Sequence, residues 1–114
     1  MFTTGYIPIN AGDIVRMKNC WIDPDGTVEV YGRAGNMCVI YGYDANKSKV
    51  FESTWIGFDE NNNEVDNIEK DTNGNTIAFS ITTTGQGANI RYMRFTLGGD
   101  GTTAIMTVNE EIPN

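Results

Sequence analysis

The chain has 114 residues, 39% of them apolar, and a formal net charge of −7. That length fits one domain, residues 1–114, with a small core. The negative balance argues against nucleic acid or an anionic membrane as a partner, because phosphate binding needs a basic surface.

There is no histidine. This removes the commonest general base, the Ser-His-Asp and Cys-His nucleophile systems, and most zinc and copper sites. No run approaches the roughly 18–20 apolar residues that a membrane span needs. The opening Met1-Phe2-Thr3-Thr4-Gly5-Tyr6 lacks the basic region and apolar stretch of a signal peptide. The expectation is therefore a chain that acts where it is made, leaves the cell within an assembly, or is excised from a longer protein. Cys20 and Cys38 allow at most one disulfide. Their spacing has no metal or redox signature, and a free cysteine in such apolar runs behaves as a small hydrophobe.

Taken in order, residues 6–9 alternate with Ile7 and Ile9 on one face, and Pro8 restricts that strand to an edge or to one-sided pairing. After the turn Asn10-Ala11-Gly12-Asp13, the next strand sets Val15, Met17 and Trp21 against Ile14, Arg16, Lys18 and Cys20. Asp23-Pro24-Asp25-Gly26 is a turn, because proline presets φ at its second position and glycine closes it. Residues 27–31 alternate cleanly, with Val28 and Val30 against Thr27, Glu29 and Tyr31. Residues 37–43 form an apolar run in which Tyr41 and Tyr43 share a face. A polar turn at 44–48 leads to an irregular or bulged strand at 49–58 containing Trp55. Residues 59–63 are a loop of acids and amides, and 64–70 offer a strand edge or one helical turn. The dipeptide Asn73-Gly74 suits a hairpin. Residues 76–82 set Ile77, Phe79 and Ile81 against small polar side chains. A glycine-rich loop at 83–88, expected to be mobile, precedes the strand 89–97. There Met93, Phe95 and Leu97 make a core face with Arg91, and Ile90, Tyr92 and Arg94 point the other way. The glycine turn Gly98-Gly99-Asp100-Gly101 introduces a last strand at 102–109, with Ala104, Met106 and Val108 on one side.

Eight or nine short strands at roughly 8–12-residue spacing, with turn chemistry between them and no long helix, predict an all-β fold, an antiparallel β-sandwich or barrel.

Tyr92 and Arg94 side by side on one strand face combine a flat aromatic with a planar cation, a pairing that grips a sugar or a carboxylate and also decorates ordinary sheets. Tyr31, Tyr43 and Trp55, with Trp21 and Tyr41, are candidates to join them, because sugar rings dock their C–H faces on aromatic rings. Asn109 and nearby acids would read hydroxyls. The competing reading of these aromatics is core and lateral packing, since a small sandwich needs large side chains to fill it. Asp59-Glu60-Asn61-Asn62-Asn63-Glu64 alternates oxygen ligands as a calcium loop does. It lacks the glycine at the sixth position, and its twelfth position is Lys70 rather than glutamate, so no cofactor is expected there. Fifteen acidic residues bring some carboxylates together by chance, so a carboxylate pair argues little for glycoside hydrolysis, and no enzymatic activity is expected.

Two stretches carry a resemblance. Gly5-Tyr6-Ile7-Pro8-Ile9-Asn10-Ala11-Gly12-Asp13-Ile14-Val15-Arg16-Met17-Lys18-Asn19 resembles the opening of small β-sandwich domains in tail and receptor-binding proteins of phages and prophages of Gram-positive bacteria. Tyr92-Met93-Arg94-Phe95, the glycine turn and Ala104-Ile105-Met106-Thr107-Val108-Asn109-Glu110 resemble their ending. The resemblance implies a jelly-roll-like sandwich similar to carbohydrate-binding modules, displayed on a virion tail or extracellular surface and often trimeric. It supplies no set of binding residues. The resulting expectation is a non-catalytic module that binds a host surface polysaccharide. A spacer or trimerising domain of a tail fibre or baseplate is the structural alternative, and a carbohydrate-binding module of a bacterial glycoside hydrolase is the third.

Overall fold

The computed structural model describes residues 2–18, 40–53, 57–65, 68–70, 76–97 and 105–112. The turns expected at 23–26, 73–74 and 98–101, the strand expected at 27–31, both cysteines, Trp21, Tyr31 and Trp55 lie outside the described residues.

Among the described residues the chain forms eleven short strands: β1 (Phe2–Thr3), β2 (Ile7–Pro8), β3 (Ile14–Lys18), β4 (Ile40–Tyr43), β5 (Lys49–Ser53), β6 (Gly57–Phe58), β7 (Glu64–Val65), β8 (Ile68–Lys70), β9 (Thr76–Ser80), β10 (Tyr92–Leu97) and β11 (Ile105–Val108). All ladders between them are antiparallel. One sheet runs β1-β10-β4-β5, with β2 also on β10; a second runs β11-β3-β9-β8; β6 and β7 form a small ribbon. The two larger sheets share one hydrophobic cluster. Val15, Met17 and Phe79 come from the second sheet, and Ile40, Phe51, Met93 and Phe95 from the first. The Phe79 and Phe95 rings lie 6.0 Å apart across the interface. This is an all-β sandwich.

The alternation in β3 holds as expected, with Val15 and Met17 fully buried and their neighbours half-buried. Pro8 stands on a strand whose only ladder among the described residues is to β10, in keeping with its missing N–H. Among the described residues the count exceeds eight or nine because β1 forms ahead of the first expected strand, the stretch 49–58 yields two strands, β5 and β6, and 64–70 yields β7 and β8 rather than a helical turn. Val65 pairs with Gly57, and Ile68–Lys70 extend the sheet beyond β9, so pairing outweighs the helical spacing of Val65 and Ile68.

Two expectations are corrected. The glycine-rich segment is a 3-10 helix, Gly85–Asn89, packed beside β6, with Gly87 buried. Gly85 has φ +59°, and a Cβ there would collide with the Asp59 carbonyl, so both the conformation and the close approach require glycine. That helix also ends the alternation assumed for 89–97. Ile90 is fully buried and Arg91 is exposed, the reverse of their expected faces, because the strand begins only at Tyr92. From there the expected parity holds, with Met93 and Phe95 fully buried.

Candidate functional site

β10 is the inner strand of its sheet, and its neighbours decide what stands beside Tyr92 and Arg94. Across β4, Tyr92 is opposite Tyr43 and Arg94 is opposite Tyr41; across β2, Tyr92 is opposite Pro8. Directly opposed residues project to the same face. Tyr92, Arg94, Tyr43 and Tyr41 therefore form two adjacent rows on one face, back to back with Met93, Phe95 and Ile40 in the core.

A bulge brings in a fifth. Thr3 pairs with Thr96 and Ile7 with Met93, so three residues, Thr4, Gly5 and Tyr6, stand opposite two, Arg94 and Phe95. Thr4 remains tied to the ladder, its N–H donating to the Phe95 carbonyl at 2.9 Å and its hydroxyl accepting from the Phe95 N–H at 3.0 Å. Had the β1 register continued, Tyr6 would oppose Met93 and enter the core. The extra residue re-aims it to the outer face. There the Tyr6 ring is 44% exposed and packs edge-to-face on Tyr43 at 4.9 Å and on Tyr92 at 6.2 Å. Tyr43 lies largely beneath it, 9% exposed.

The β4–β5 turn supplies a cation. The Asp44 carboxylate accepts from the N–H groups of Asn46 and Ser48, both at 2.9 Å, while the Lys47 N–H donates to the Asp44 carbonyl at 3.0 Å. Lys47 has φ +61°, a left-handed conformation that costs a non-glycine residue about 1–2 kcal/mol. The β6–β7 turn repeats this design. Asp59 accepts from Asn61 and Asn63, and Asn62 takes the left-handed position with φ +64°. Asparagine suits that conformation; lysine does not. In the first turn the lysine reaches back over the sheet, with Nζ 5.1 Å from the Tyr6 ring centre and 5.2 Å from that of Tyr92.

Arg94 approaches from the other row, Cζ 5.3 Å from the Tyr6 ring centre. Its Nε donates to the Thr4 carbonyl at 3.0 Å. Its two terminal nitrogens have no protein partner among the described residues. No carboxylate among the described residues pairs with Lys47 or Arg94. Glu52, opposite Tyr41, is engaged by Lys49 at 3.0 Å, and that hydrogen bond and its charge raise the Lys49 pKa. The result is a cluster of Tyr6, Tyr43 and Tyr92 with Lys47 and Arg94, on a sheet face that also carries Tyr41 and the Lys49–Glu52 pair. It offers ring surface, hydroxyl groups and positive charge.

Of the residues expected to bind, Tyr92, Arg94 and Tyr43 are brought together. Tyr43 is mostly covered and acts as the support beneath Tyr6. Tyr31 and Trp55 lie outside the described residues. Asn109 is placed at the end of β11 in the other sheet, with φ +62°. Its side-chain carbonyl accepts from the Ile14 N–H at 2.9 Å, and its amide donates to Asp13 at 3.1 Å. It closes the β3–β11 ladder, so its amide serves the fold. Sequence reasoning did not select Tyr6 or Lys47. The parity of Tyr6 against Ile7 and Ile9 was available, but its partner strand lies more than eighty residues away.

The expected acid-and-amide loop at 59–63 spends Asp59 on its own backbone. Hydrogen bonds from Asn63 and Asn61 hold its carboxyl below the ordinary 3.8. Among the described residues no three carboxylates or cysteines converge as a metal site would need. Comparison with protein-family models, with curated proteins and with solved structures finds no match to this chain.

Proposed function

We propose that the chain is a non-catalytic module that binds a bacterial cell-surface or cell-wall glycan. The observation that carries this reading is the grouping of Tyr6, Tyr43 and Tyr92 with Lys47 and Arg94 on an accessible sheet face. Ring edges and faces pack against sugar C–H groups, and the hydroxyls and cations take the polar substituents. A single shallow face of this kind binds weakly, and several copies on one particle compensate through avidity. The resemblance of residues 5–19 and 92–110 to tail and receptor-binding domains supports a setting on a phage tail, in a jelly-roll-like sandwich. In this fold those two segments pair with each other, β2 with β10 and β3 with β11.

The test is a screen of bacterial capsular and cell-wall polysaccharides, followed by calorimetry. Tyr6→Ala and Tyr92→Ala are each expected to weaken binding by about tenfold, the scale of one lost aromatic contact. Arg94→Ala is expected to weaken binding and also to lose about 1 kcal/mol of stability with its bond to Thr4. A stable trimer that binds nothing on the panel would replace this reading with a structural one.

A further inference from the structure

We infer that the ligand of this face is an acidic saccharide, whose carboxylate or phosphate is taken by Lys47 and Arg94 together; this rests on the glycan reading above. The first ground is charge. Both cations are drawn to one ring, Tyr6, at 5.1 Å and 5.3 Å from its centre. Two like charges gathered on one aromatic repel each other, and an anion between them converts that repulsion into two attractions. No carboxylate among the described residues fills that role, since Glu52 is held by Lys49 and Glu111 by Arg16. A chain with net charge −7 therefore sets around one ring two cations that no carboxylate among the described residues pairs with.

The second ground is conformational and independent of the first. The Asp44 and Asp59 turns share one hydrogen-bond pattern, and the left-handed position carries Asn62 in one and Lys47 in the other. Nothing in the turn's own bonding uses the lysine amine. Its long side chain instead spans Tyr6 and Tyr92. A residue held in an unfavourable backbone region, with its working end over a cluster of rings, marks a functional position. Arg94 contributes a different geometry. With Nε fixed on Thr4, its two terminal nitrogens form a fork suited to two oxygens of one acid group.

Two matched probe pairs test this by calorimetry: tetragalacturonate against its carboxyl-reduced form, and pentamannose phosphate against pentamannose. The expected result is that the charged member of at least one pair binds at least about tenfold more tightly. That binding is expected to fall about tenfold between about 50 and about 500 mM salt. The pair that responds separates carboxylate from phosphate. Lys47→Asn keeps a residue suited to the turn and is expected to cost about tenfold in affinity for the charged probe, with a melting temperature equal to or above that of the parent. Neutral and charged probes binding alike would overturn the inference and leave the glycan reading standing. So would charged probes that fail while neutral polysaccharides on the wider panel bind. An unchanged affinity in Lys47→Asn would overturn the role of the lysine, and no binding to any saccharide would remove both readings.

Discussion

Asp59 shows what a single side chain contributes in a chain so rich in turns. Its carboxylate accepts the N–H groups of Asn61 and Asn63 and the Asn63 side-chain amide. These bonds favour the ionised form and lower its pKa from 3.8. A carboxyl whose folded pKa is depressed adds stability that is present above its unfolded value, about 3.9. That stability is lost as pH falls through the lower folded value. Asp59→Asn keeps an acceptor for the turn but cannot titrate. Its melting temperature is expected to fall less than the parent's below about pH 4, as followed by thermal melts across pH; equal slopes would show that the turn does not sense this proton. Asn109 teaches the complementary lesson. From the sequence it was read as a ligand contact; in the fold its side chain bonds to Ile14 and Asp13 on the other sheet.

At the scale of elements, the pairing of β4 with β5 carries the site. Gly42 lies on the core face of β4 opposite Phe51, and the Phe51 ring occupies the space that a Cβ would need. The register shifts just beyond, between Gly42 and Tyr43, as the chain enters the turn that holds Lys47. Gly42→Ala is expected to destabilise the domain by about 1–3 kcal/mol through overpacking. Thermal or denaturant unfolding checks this, and glycan affinity should fall with it only where Tyr43 and Lys47 are displaced. The strand identities here were largely legible, because period-two alternation survives in β3, over Ala78–Ser80 of β9 and over Tyr92–Thr96 of β10. The bulge at Thr4–Tyr6 was not, since a bulge is defined against a partner strand and the partner is β10.

The molecule as a whole carries −7, yet its proposed site is locally positive. The two scales respond to salt with opposite sign. Added salt relieves self-repulsion across the acidic surface and is expected to raise the melting temperature, while it screens Lys47 and Arg94 from an acidic ligand and lowers affinity. Scans and titrations over one salt series measure both, and a parallel fall in the two would mean that ion pairs within the fold dominate instead.

By itself the sequence determined the all-β class, the turns at 10–13, 44–48 and 59–63, the core faces of the longer described strands and the outward parity of Tyr92 and Arg94. Those properties depend on side-chain period and local backbone preference, which are written within a few consecutive residues. Only the tertiary structure decided that Tyr6 and Lys47 join them, that Tyr43 lies mostly covered against Tyr6, and that Asn109 stands beside the opposite sheet. Each depends on the register between strands far apart in the chain, where a shift of one residue moves a side chain to the other face.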